Sequence, residues 1–222
     1  GQYVYFKPGG SLPAVLRSFS SGDEILTFVN RNFEPSRGCH IFFRAIPELL
    51  KQRPNLQIIM AGADGRSYSA IRTENDAWRL QFWKEIEPQL TEDMRQRIHF
   101  VGTLNRQLFT QLLQLSTVHV YLTYPFVLSW SLMEAMSCEC AIVSNRVQPV
   151  EELIEHDTHG LLIDFFKPKE LVEKVAFLLD SPETRERLGK KARERIAQQY
   201  DLQRICLPQW LNWVEMLANS ST

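Results

Sequence analysis

The stretch VHVYLTYPFVLSWSLMEAMSCECAIVSN, residues 118–145, carries the reading of the fold. It opens on an apolar run of strand length, Val118–Thr123, and closes on another, Ala141–Ser144. Between them Tyr124-Pro125 ends the first run, because proline disfavours a helical conformation at the residue before it. Ser129 or Ser131 can then cap a helix. From Val118 to Cys138 the single charged side chain is Glu134, set among Leu132, Met133, Ala135 and Met136. Strand, turn, helix and strand again is the repeating unit of a parallel α/β sheet.

The same alternation extends in both directions. Strand-length runs stand at Ile25–Val29, Leu56–Met60, Ile98–Val101 and Leu161–Asp164. Helical periodicity fills the gaps: Phe42, Ile46 and Leu49–Leu50 share one face, with Pro47 expected to kink or shorten that helix. Trp78 to Leu90 reads as a second helix, Leu108, Leu112 and Leu115 mark a third, Val150–Glu155 a short one and Glu170–Leu179 a further one. Residues 182–217 read as wholly helical, with Leu188, Ala192, Ile196 and Tyr200 on one stripe. The fold class expected is α/β: a Rossmann-like, doubly wound parallel sheet of about six strands covered on both faces, with a helical C-terminal tail. The sheet domain occupies residues 24–200 and a last helix residues 201–222. Residues 1–23, which begin at Gly1 rather than Met, read as a trimmed start or an inter-domain linker.

Composition narrows the function. The 222 residues suffice for a buried core, and 44% hydrophobic with 23% charged content is ordinary for a globular protein. A formal net charge of −1 gives no basic field for nucleic acid. No apolar run reaches membrane-spanning length, and no signal-peptide pattern is present. Cys39, Cys138, Cys140 and Cys206 lack zinc-site spacing and read as reduced thiols, and His156 and His159 as loop-surface residues. No metal or cofactor is expected.

Open parallel sheets bind ligands outside the carboxyl ends of their strands, so those turns hold the candidate chemistry. After the first run comes Arg31-Asn-Phe-Glu-Pro-Ser-Arg37-Gly38. Each guanidinium offers a permanent charge and a planar fork of donors suited to phosphate, and Gly38 permits close backbone approach at a helix start. The plainer alternative is two solvated loop arginines. Gly62 lies in the turn after the second run, and Gly102 with Leu104 after the third. In the fourth turn, Leu128, Ser129, Trp130 and Ser131 would leave helix-start amides free for an anion. Glu134, in the first turn or so, accepts hydrogen bonds only: it suits a ribose diol and not a phosphate. Otherwise it is a helix-start acid favoured by the dipole. Two arginines, free amides and an acid together describe a nucleotide site.

These features resemble the C-terminal, nucleotide-sugar-binding half of a GT-B glycosyltransferase of the family 4 type. The resemblance runs from about Glu24 to Tyr200. It rests on the Arg31…Arg37-Gly38 loop, on HFVGTL (His99–Leu104), on SLMEAMSCECAIVSN, on Glu151 and on HGLLIDF (His159–Phe165). It implies a retaining transfer of a hexose from a nucleotide sugar, with UDP the expected nucleotide, to a glycan or other acceptor, as in polysaccharide biosynthesis. The implied catalytic residues are Arg31, Arg37 and Glu134. The implied partners are the nucleotide sugar and an N-terminal acceptor-binding domain of the same parent chain, in whose absence this fragment is expected to be inactive. The implied location is cytoplasmic, at most peripheral to the inner face of a membrane.

Two departures stand out. Phe126 occupies the position of the family's first motif acid, and Glu139 and Ala141 replace a glycine and a proline. Phe126 keeps a non-catalytic nucleotide-binding module open as an alternative, and a nucleotide-sugar epimerase half stays open because it would use the same donor loop. A dinucleotide oxidoreductase does not fit, because the first turn lacks Gly-x-Gly-x-x-Gly. In the tail, Leu207, Trp210, Leu211, Val214 and Leu217 form a stripe expected to stay partly uncovered in this chain.

Overall fold

A computed structural model of the chain describes residues 3–6, 15–18, 23–65, 77–125 and 128–220. Two short strands, β1 (Tyr3–Phe6) and β2 (Val15–Ser18), pair antiparallel within the segment expected to be a start or linker. The main sheet is built from β3 (Glu24–Asn32), β4 (Leu56–Ala63), β5 (Ile98–Gly102), β6 (Val118–Tyr121), β7 (Ile142–Asn145) and β8 (Leu161–Ile163). All its neighbours pair in parallel, in the order β5-β4-β3-β6-β7-β8. Consecutive residues such as Leu26, Thr27 and Phe28 are all buried, so both faces are covered, as continuous apolar strands require. Strand order reverses between β3 and β6, which opens a crevice at their carboxyl ends.

Nine helices are described: α1 (Cys39–Gln52), α2 (Trp78–Ile86), α3 (Glu92–Gln96), α4 (Arg106–Leu115), α5 (Trp130–Ser137), α6 (Gln148–Glu151), α7 (Pro168–Asp180), α8 (Pro182–Gln199) and α9 (Leu207–Ser220). Helix α1 packs against α2 and α7, and its Phe42 stacks on Phe28 of β3 with ring centroids 4.3 Å apart. Helices α5 and α8 pack together, and Leu132, Ala135 and Met136 meet Ala192 and Ile196 in a second cluster. Each arrangement follows from one apolar stripe facing the sheet.

Several local expectations need correction. Of the two effects expected of Pro47, a kink or a shortened helix, the shortening does not occur: α1 runs through the buried Pro47 to Gln52. The short α3 was not anticipated; Thr91 caps it, its hydroxyl accepting the Met94 N–H at 3.3 Å. Residues 182–217 are helical apart from Tyr200 and Asp201, at the boundary expected between the sheet domain and the last helix: α8 ends at Gln199, and Asp201 caps a π-helical turn, accepting the Arg204 N–H at 2.8 Å, before α9 begins. An acceptor side chain at that point stops one helix and starts the next. His159 is buried, not on the surface, and its Nδ1 accepts the Glu155 N–H at 3.2 Å. His156 is exposed as expected, yet its Nδ1 accepts the Leu162 N–H at 2.9 Å. The four cysteines are free thiols, with Cys39 and Cys140 buried. Among the described residues no helix is long and apolar enough to cross a membrane.

Candidate functional site

A cleft of about 350 Å³ opens at the carboxyl ends of β3, β4 and β5. The end of β3 contributes Asn30, Arg31 and Asn32, the end of β4 Gly62, the last residue of β5 Gly102, and the turn after it Thr103 and Leu104. Phe109 of α4 and Ser129 and Ser131 at the start of α5 complete it. Six of the residues singled out from the sequence therefore share one cavity: Arg31, Gly62, Gly102, Leu104, Ser129 and Ser131. Arg31 is exposed and pairs with no carboxylate among the described residues. The cleft has a local cause in β3, whose register on β4 shifts between Val29 and Asn32. At Gly62 a Cβ would stand 2.7 Å from the Asn30 carbonyl oxygen, so a side chain there would collide with the shifted strand.

Arg37 lies outside the cleft lining, at its β6 side. Its Nη1 donates to Thr123 Oγ1 at 3.3 Å, and its charge acts on the buried Tyr121 phenol. Burial raises the pKa of that phenol above its ordinary value, opposed by the Ser129 amide and by Arg37. The Tyr121 hydroxyl accepts the Ser129 N–H at 2.9 Å, which couples the arginine loop to the start of α5. Asn145, buried at the end of β7, holds the turn from below: it accepts the Thr123 N–H at 2.9 Å and donates to the Thr123 carbonyl at 2.8 Å. Tyr121, Thr123 and Asn145 escaped the sequence reading. They are polar groups ending apolar strands, and the strand-end rule that found Arg31 applied equally to them.

Gly38 starts α1 with φ +67°, a left-handed conformation that side chains disfavour. A Cβ there would sit 2.3 Å from Leu122 Cβ, so glycine lets the arginine loop press against the end of β6.

Helix α5 differs in detail from expectation. Ser129 is its cap and its hydroxyl accepts the Ser131 N–H at 3.4 Å, while Leu132 N–H donates to the Ser129 carbonyl. The amides of Ser129 and Ser131, expected to be free, thus have partners in the chain. Glu134 is the fifth residue of α5, in its second turn, and half-buried. It follows Ser131 by three positions on the same face but does not line the cleft. Trp130 is 80% exposed and off the cleft, and Leu128 is half-buried beside it in sequence. Phe126 lies outside the described residues. Glu151 ends α6 and pairs with exposed Arg146 at 3.0 Å. Among the described residues no cluster of three or more His, Cys, Asp or Glu side chains is placed to hold a metal ion.

An open parallel sheet with a cleft at its switch point, lined by an arginine, glycines and a helix start, places the candidate site where doubly wound α/β domains bind their ligands. Residues 17–195 match the family model for Glycosyl transferases group 1, and the chain belongs to that family, of GT-B type. It is 25% identical over 186 residues to spore coat protein SA of Bacillus subtilis (strain 168), which covers 83% of this chain and 47% of that protein. It is 26% identical over 178 residues to alpha-D-kanosaminyltransferase of Streptomyces kanamyceticus, covering 80% and 42% respectively. The chain thus spans less than half the length of these relatives. Sucrose-phosphate synthase of Thermosynechococcus elongatus superposes with a TM-score of 0.73 at 20% identity, over 90% of this chain and 47% of that one. HepE of Anabaena, solved in complex with UDP-glucose, gives 0.70 at 18%, over 90% and 50%. The C-terminal domain of LpcC, a glycosyl transferase group 1 family protein of Francisella tularensis, gives 0.68 at 15%, over 82% and 88%. At such identities the likeness is one of fold.

Proposed function

We propose that this chain is the donor-binding domain of a retaining family 4 glycosyltransferase, the C-terminal half of a parent enzyme that moves a hexose from a UDP-sugar to a glycan or other acceptor. The observation that carries the reading is the cleft itself, where Arg31, Gly62, Gly102, Leu104, Ser129 and Ser131 converge at the strand ends. Breaking the glycosidic bond leaves negative charge on the departing diphosphate. Arg31 faces that charge from the cleft and Arg37 from its β6 side, where Thr123 and Tyr121 hold it before the reaction begins. Fixed positive groups of this kind stabilise a transition state without reorganising. Gly102 to Leu104 offer backbone and an apolar edge to a base, and Glu134, one turn below Ser131 and off the cleft lining, is assigned to the ribose hydroxyls on the family resemblance alone. The family match and the UDP-glucose bound to HepE support the donor class. An acceptor-binding domain preceding this one in the parent chain would supply the second substrate.

The test is thermal unfolding of the chain with UDP, GDP and ADP in turn. A ligand at about one hundred times its Kd adds about 2.7 kcal/mol, or roughly 5–10 °C for a domain of this size. UDP is expected to give that shift. No shift with any of the three nucleotides would sink the reading.

A further inference from the structure

Beyond the cleft, the carboxyl end of the sheet carries aromatic rings open to solvent. Tyr124, next to Thr123, is 40% exposed, and Phe166, just past β8, is 80% exposed. The buried ring of Phe165 joins them edge to face, its centroid 5.3 Å from Tyr124 and 5.2 Å from Phe166. His40 of α1 packs edge-on against Phe165 at 5.7 Å and Tyr124 at 6.3 Å. Its Nδ1 is enclosed without a hydrogen-bond partner, and burial lowers its pKa below the ordinary imidazole value.

We propose that Tyr124 and Phe166, both braced by the buried ring of Phe165, form a stacking ledge for a pyranose ring of the acceptor, a sugar subsite apart from the nucleotide cleft. The proposal rests on the glycosyl-transfer reading. Single exposed apolar residues are ordinary, but two exposed rings fixed on one buried ring present a shaped apolar surface. The ledge presents uncharged rings open to water, with the Lys167–Asp164 pair, 3.1 Å apart, beside Phe166 in sequence. Its occupant therefore needs one flat apolar face and an otherwise hydrated body, and the C–H face of a pyranose meets both conditions. Position supports the same assignment. Tyr124 N–H donates to the Ser36 carbonyl at 2.9 Å, and the neighbouring Thr123 accepts from Arg37, so ledge and arginine loop share a border. In the sheet order, the ledge follows β6 and β8 while the Gly102–Leu104 turn follows β5, on the other side of β3. A sugar on the ledge would thus lie toward the diphosphate end of a nucleotide in the cleft, where an attacking hydroxyl is needed.

The test is saturation-transfer NMR of methyl α-D-glucopyranoside, methyl α-D-mannopyranoside and methyl β-D-galactopyranoside with the chain, with and without UDP. We expect saturation on the ring C–H protons of at least one glycoside. It should fall about fivefold or more in Phe166→Ala and Tyr124→Leu, while UDP affinity changes less than about twofold. Phe166 is so exposed that its loss leaves the core intact. Absence of saturation for all three glycosides, or undiminished saturation in both variants, would overturn the ledge. So would loss of the signal in a longer protein that includes the preceding part of the parent, because the ledge would then be an interdomain seam. UDP stabilisation, followed on the same samples, reports separately on the donor-site reading.

Discussion

At the residue scale, the two arginines are predicted to differ. Arg31 is exposed at the cleft, whereas Arg37 is half-buried and held by Thr123 beside Tyr121. Arg31→Ala is expected to weaken UDP by about ten- to a hundredfold, the loss of one charge-assisted contact, with unfolding unchanged. Arg37→Ala is expected to weaken UDP and also lower the melting temperature, since it removes a member of the Tyr121–Ser129 network. Isothermal titration and thermal melts of both variants check this, and unchanged affinity in both would remove the phosphate role. A second prediction concerns His119, buried in β6, where Thr27 Oγ1 lies 2.8 Å from Nδ1 and Nε2 is enclosed without a partner. Burial lowers its pKa from 6.5 to about 4. The folded protein therefore keeps it neutral where the unfolded chain takes up a proton. Its contribution is fully present above pH 6.5 and declines as pH falls from 6.5 toward 4, by about 2 kcal/mol between pH 7 and pH 5. Urea titrations at those two values should show a smaller loss in His119→Gln than in the parent sequence, and parallel losses would exclude the mechanism.

At the scale of elements, the turn between α5 and β7 favours the glycine of the family pattern at the position that Glu139 holds here. Glu139, where the family pattern has glycine, adopts φ +60°, and the turn is pinned because Gly189 of α8 packs against the Glu139 carbonyl. The left-handed conformation disfavours a residue with a Cβ, and the exposed Glu139–Arg193 pair at 3.5 Å offsets little of that. Glu139→Gly is therefore expected to stabilise the fold by about 0.5–1 kcal/mol, read as a higher urea midpoint; a lower midpoint would contradict the strain. This turn also shows what was legible in the sequence. All six strands of the main sheet were marked by apolar runs, because strands buried on both faces need apolar side chains throughout. Helices with one apolar stripe were equally plain. The short α3 and the burial of His159 were not, since caps and single contacts set them and leave no periodic trace. In the site, glycines and arginines at strand ends stood out. The Tyr121–Ser129 bond and the Asn145 clamp did not, because a phenol at the end of an apolar strand looks like core until its partner is placed.

At the scale of the molecule, the final prediction is that this chain binds UDP and transfers no sugar. Binding needs only groups that one sheet assembles: Arg31, the glycine turns and the start of α5 all follow strands of a single domain. Transfer asks for more. The acceptor hydroxyl must be held within about 3–3.5 Å of the anomeric carbon, and water must be kept out while the bond breaks. The cleft is open, and the ledge can stack a sugar without enclosing it. Helix α9 points the same way. Leu207, Trp210, Leu211, Trp213, Val214, Met216 and Leu217 are each about half exposed or more, and Trp210 and Trp213 rest on each other with centroids 5.7 Å apart. An apolar surface spread round so much of a helix is the pattern of a buried element, which fits a covering domain in the parent chain. Closure of two such domains would supply both the acceptor and the exclusion of water. The measurement is release of UDP from UDP-glucose and formation of a glycosylated acceptor. It is run with this chain and with a longer protein carrying the preceding part of the parent. Transfer is expected from the longer protein alone. Equal transfer by this chain would place the acceptor site wholly within it. Failure of both, with UDP still bound, would favour a nucleotide-binding module over an enzyme.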